Sequence, residues 1–234
     1  MSAIIKRELS SYFNSAIGYI VLAVFYFFSG LFFYMYCLLS NTTSMSYVFL
    51  SMLMIVVLII PIITMRSFSE EKKQKTDQAL LTAPISLTEM VFGKFFGAFL
   101  LYCMCNAVYV VYAIILSAFA PIDWAVFLTT MLGMLLMGGA LIAIDLFISA
   151  LTESQIIAAV ISIGVGLFIY IIDSLSGMIS VEWITTLLHN LSFDAHFTNF
   201  INGIINFTSV LFFISVIAVF LFLCIRVFEK RRWS

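Results

Sequence analysis

Charge is scarce in this chain. Only 10% of its 234 residues are Asp, Glu, Lys or Arg, against 64% hydrophobic residues, 25 of them Phe. A soluble domain of this size needs far more polar surface, so the composition points to a polytopic membrane protein. Histidine is limited to two residues and proline to three. His189 and His196 do not have the i, i+4 spacing of a helical metal pair, and read as solvated members of a polar face. The four cysteines, Cys37, Cys103, Cys105 and Cys224, all lie in apolar runs, where a thiol behaves as a small hydrophobe. Neither a disulfide nor a metal site follows from them. The chain has no G-x-S-x-G elbow, Walker A loop or H-E-x-x-H pair. It is therefore not expected to hydrolyse ATP alone or to act as an intramembrane enzyme. No metal is expected, and no nucleic-acid partner.

Positive charge is confined as well as scarce. The 11 Lys and Arg residues fall in three places. Lys6 and Arg7 precede the first apolar run. Arg66, Lys72, Lys73, Lys75 and Lys94 lie between or at the edges of the second and third. Arg226, Lys230, Arg231 and Arg232 follow the last. Six runs are near the roughly 20 residues a helix needs to cross a bilayer, about 17–39, 47–65, 90–118, 124–149, 155–172 and 207–227. Because positive loops stay cytoplasmic, both termini and the segment 66–89 are expected on the cytoplasmic side. The run after Lys6 and Arg7 is too long for a cleavable signal. The fold class expected is all-α, one six-span domain over 1–234.

Three further features stand out. Residues 1–16 carry Ile5, Leu9, Tyr12 and Phe13 on one helical stripe, which predicts an amphipathic interfacial helix. The long loop 173–206 carries two stripes, Ile184, Leu187, Leu188 and Leu191, then Phe193, Phe197, Phe200, Ile201 and Ile204. These predict two short amphipathic helices dipping into the outer interface or capping the bundle. Gly93-x-x-x-Gly97 and Gly138-Gly139 permit close helix approach, a weak pointer to a dimer face. The sequons at Asn41, Asn190 and Asn206 are treated as chance matches.

The segment 66–89, RSFSEEKKQKTDQALLTAPISLTE, organises the rest. Ser67 and Glu70 have capping-box spacing, as do Ser86 and Glu89. Pro84 stops a helix between them. A short charged helix beneath the membrane is predicted, with Leu80 and Leu81 seating it on the bundle and Glu70, Glu71 and Lys72 facing a soluble partner. Arg66, Glu70, Glu71, Lys72, Thr76, Leu80, Leu81 and Pro84 resemble the R-x-x-x-E-E-K-x-x-G-T-x-E-x-L-L-x-x-P pattern of ABC-2 type ABC-transporter permeases. Lys75 stands at the pattern's Gly and Gln78 at its third Glu position. The N-terminal KRELSSYFNSAIGYIVLAVFYFFSG resembles the gliding-motility-type branch of that family. The resemblance implies that 66–89 is a coupling helix docking on an ATP-binding subunit, which carries the ATP and Mg. It also implies a second permease copy or paralogue, re-entrant helices over 173–206, a bacterial cytoplasmic membrane and export. A non-transporting complex that drives an extracytoplasmic partner is the alternative.

Asp145 is the one acid deep in a predicted span, where aspartate costs about 2.5–3.5 kcal/mol at the helix centre on insertion scales. It sits nearer the cytoplasmic end, where water is expected to reach it. Two readings stand: a polar or proton-sensitive group of a pathway, or a structural hydrogen-bond partner within the bundle.

Overall fold

The computed structural model describes residues 1–73, 86–176 and 182–233. Among them there is no strand. The elements are α1 (Ser2–Asn14), α2 (Ala16–Phe33) with a π-helical turn (Tyr34–Leu38), α3 (Ser46–Thr64), α4 (Ser69–Lys73), α5 (Leu87–Ser117), α6 (Trp124–Leu151), α7 (Gln155–Ser176), α8 (Glu182–Leu191), α9 (Phe193–Ile201) and α10 (Phe207–Trp233). Among the described residues six helices are long and apolar enough to cross a membrane, and they coincide with the six runs read from the sequence.

Helix α6 is the spine. It packs against α3, α5, α7, α9 and α10, and α4 touches it at one end. Of its 18-residue apolar stretch 72% is buried, against 22% for α7 and 17% for α10. A helix apolar all round belongs inside a bundle, and α6 obeys that rule. Its start is fixed by Asp123, whose carboxylate accepts from the amides of Ala125 and Val126. Ser86 caps α5 in the same way, accepting from Glu89 N at 3.2 Å.

The glycines set how closely the helices meet. A Cβ on Gly93 would fall 2.7 Å from Ile4, and one on Gly97 the same distance from Glu8 Cβ. The G-x-x-x-G face therefore receives α1 of the same chain rather than a second copy, and α1 is docked along α5. Gly133 admits Phe200 of α9 in the same manner. Gly138 lies under the Tyr102 ring, which is fully buried and donates to Met134 O at 3.0 Å.

The stripe Phe193, Phe197, Phe200, Ile201 is buried in α9, with Ser192 as its cap. Thr129 and Thr130 of α6 both donate to the Phe200 carbonyl, at 3.0 and 3.2 Å. His196 departs from the solvated role expected of it. Its Nδ1 lies 3.1 Å from Ser209 Oγ, its Nε2 3.1 Å from Asn190 O, and its ring stacks on Phe212 at 4.2 Å. A half-buried imidazole with both nitrogens engaged is a tether joining α8, α9 and α10. The side chain of His189 lies outside the described residues.

Gly138→Ala forces the hydrogen-bonded Tyr102 ring to move, and overpacking of this kind costs about 1–3 kcal/mol. Gly164, with nothing within 4 Å of its would-be Cβ, is the control. Thermal unfolding in detergent should show a clear drop for Gly138→Ala, with Gly164→Ala within about 0.5 kcal/mol of wild type.

Candidate functional site

The charged segment begins where α3 ends. Pro61 has no N–H to give Val57 O, and after Thr64 the chain passes through a turn into α4. The cap expected from Ser67 does not form, and its hydroxyl lies beside the Tyr12 phenol instead. The cap comes instead from another helix. Ser149 Oγ, on α6, accepts from Phe68 N and Ser69 N, both at 3.2 Å, and donates to Met65 O at 3.3 Å. One hydroxyl thus satisfies two orphan amides of the next helix start. Lys72 adds a second tie, its ammonium donating to Ala150 O. Lys72 is buried, so it faces the bundle; Lys73 beside it is exposed.

The acids of the segment are also held from within. Arg66 Nε meets Glu70 at 2.7 Å, with a second bond from its terminal nitrogen at 3.2 Å. Glu71 accepts from Lys94 at 2.9 Å and from Arg7 at 3.0 Å. Lys94 is the hub. Only 2% exposed, it donates to Glu8 Oε1 at 3.0 Å and Ser67 O at 2.5 Å as well, and stands 5.1 Å from the Phe68 ring centroid. Its three N–H donors meet three oxygens from α1, the segment and α4. Tyr12 closes the group by donating to Ile63 O at 3.1 Å. Burial pushes its phenol well above the ordinary range, so it remains a donor. Arg7, Glu8, Arg66, Glu70, Glu71 and Lys94 border one cleft of about 370 Å³. Phe228 of α10 packs on Phe68, with ring centroids 4.8 Å apart, bringing the last helix to the same end as α1.

Of the residues read from the sequence, Arg66, Glu70, Glu71 and Lys72 are brought together here. Thr76, Leu80, Leu81 and Pro84 lie outside the described residues. Glu8, Lys94 and Ser149 were missed. The signal for Glu8 was its place at i+4 between Ile4 and Tyr12; for Lys94, a cation in an otherwise apolar run. Asp145 is elsewhere, 3% exposed, so the expected water contact is corrected. Its carboxyl faces Thr64 Oγ1 of α3 at 3.5 Å, with Ser162 of α7 beside it. It joins three spans just above the segment.

Removing one member of a buried ion cluster leaves the others uncompensated, at about 3–5 kcal/mol for a fully buried pair. Glu8 and Glu71 keep some water contact, so Lys94→Met should fall at the low end of that range. Lys94→Met combined with Glu8→Gln and Glu71→Gln should recover much of the loss. Thermal midpoints of the purified variants test this; equal midpoints for the single and triple variants would refute the hub.

Residues 12–233 match a family model described as "ABC-2 family transporter protein". No curated protein matches the chain. The matched region takes in all six candidate spans and the charged segment tied to α6. On that match, and on the all-helical six-span architecture it covers, the chain belongs to the ABC-2 family of transporter membrane proteins.

Proposed function

We propose that this chain is the permease subunit of an ABC-2 transporter in a bacterial cytoplasmic membrane. In this reading a separate ATP-binding subunit, which carries the ATP and Mg, docks on the segment 66–89. Two permease copies, or one with a paralogue, frame a pathway used for export. Both termini and the docking segment face the cytoplasm.

The observation that carries the reading is the attachment of Met65–Lys73 to α6 through Ser149 and Ala150. A loop hung between two spans would absorb a push from a partner. A segment bonded to the most buried helix passes it on, because the α-helical backbone is stiff along its axis. The far part of α6 holds Phe200 of α9 through Thr129 and Thr130. That second clamp also favours a mechanical reading, in which movement of α6 works an extracytoplasmic partner through α9 without a transported substrate.

The docking test should avoid the internal network. Reversing Glu71 would set a third cation beside Lys94 and Arg7, so the exposed Lys73 and its neighbour Lys75 are the better targets. Lys73→Glu with Lys75→Glu should weaken co-purification of the ATP-binding subunit roughly tenfold, about 1.4 kcal/mol. Elution profile and thermal midpoint should stay unchanged, as should co-purification in a Glu182→Lys control. Undiminished co-purification would remove the docking role. Orientation is tested separately in a background without the native cysteines. Single cysteines at Ser44 and Asn202 should react with an impermeant thiol reagent in intact cells, and one at Lys73 should not.

A further inference from the structure

Helices α7 and α10 each pack along α6 but leave a gap between themselves. The gap is a groove of about 390 Å³. Phe147 and Ile148 of α6 form its floor, Val165 and Phe168 of α7 one wall, and Phe212 and Phe220 of α10 the other. Phe193 of α9 also lines it. That ring is held edge-on by Phe212 and Phe213, at centroid distances of 5.5 and 5.4 Å. Every lining residue is aliphatic or aromatic. Phe168, at the rim, is 60% exposed, so the groove opens onto the outer surface of the two least buried spans.

We propose that this groove binds one acyl chain of a membrane phospholipid, as a built site rather than as passing contact with the bilayer. Water is a poor occupant, because the lining offers it no hydrogen-bond partner and a bound water needs two to four. An empty groove is disfavoured too, since each lining side chain would forfeit its dispersion contacts on that side. The medium around these six spans is hydrocarbon, and a single chain brings the right chemistry with no polar group to bury. The enclosure by three helices and Phe193 separates the slot from an ordinary lipid-facing surface, which holds a chain on one side only. The inference rests on the six spans and not on the docking role of the charged segment.

The test is contact quenching by bromine. Trp124, Trp183 and Trp233 are replaced by Phe, and one tryptophan is introduced as Phe147→Trp on the groove floor. Phe220→Trp, on the opposite wall, serves if the first variant folds poorly. Each is reconstituted in phosphatidylethanolamine–phosphatidylglycerol vesicles, with acyl chains either plain or brominated at mid-chain. Phe27→Trp, at a position 65% exposed, and Phe49→Trp, at one 1% exposed, set the upper and lower limits. The groove tryptophan should lose at least half as much fluorescence as Phe27→Trp. Filling the slot with Val216→Phe should return it towards the Phe49→Trp value. Loss below half of the Phe27→Trp value overturns the proposal, whether a helix of a second copy fills the groove or the spans close it. Quenching unchanged by Val216→Phe overturns it as well, because contact would then come from the bulk bilayer.

Discussion

A lysine ammonium has been taken out of water at one end of this bundle, and the surrounding structure is arranged to accommodate it. Burying a charge without compensation is prohibitive, and an ammonium has three donors to satisfy. Lys94 finds two carboxylates and a carbonyl, with the Phe68 ring close by. None of the three oxygens comes from its own helix. The requirement therefore fixes where α1 lies on α5, how the chain turns after α3 and which way Glu71 points. Arg7 shares the Glu71 carboxylate, leaving the group with two cations and two acids, close to neutral. Such a cluster adds little stability compared with apolar packing; its contribution is to specify one arrangement of three segments.

The second organising contact is a neutral one. Ser149 supplies from α6 the cap that α4 lacks, and Thr129 and Thr130 on the same helix hold the Phe200 carbonyl. Small hydroxyl residues at interfaces let spans approach and satisfy the backbone groups that irregular segments leave unpaired. Asp145, with Thr64 and Ser162, stands between these clamps. Its environment is that of a joint between α3, α6 and α7.

Much of the architecture was legible because bilayer thickness imposes a length on apolar runs, and six such runs are present. The Ser86 cap and the buried stripe Phe193, Phe197, Phe200 were legible too, since both are local patterns. What escaped were contacts between distant residues. Ser67 has the right spacing for a cap, but a hydroxyl some eighty positions away caps this helix start instead, through Phe68 N and Ser69 N. Glu8 on an amphipathic helix reads as part of a solvated face until Gly97 is seen to admit it. Lys94 reads as a topology marker, and only its partners show that it is enclosed. His196 was misjudged for the same reason: both its nitrogens bond to residues of neighbouring helices.

The placement of Glu8 bears on biogenesis. Helix α1 lies before the third span in chain order, so Glu8 is synthesised ahead of Lys94. The third span enters the bilayer with a cation near its end, a passenger that insertion machinery handles poorly unless a counter-ion is at hand. A chain shortened by its first dozen residues would keep all six hydrophobic spans yet offer that cation one acid fewer at the moment of insertion. The Glu8–Lys94 contact thus ties the start of the chain to the third span, 86 positions further on.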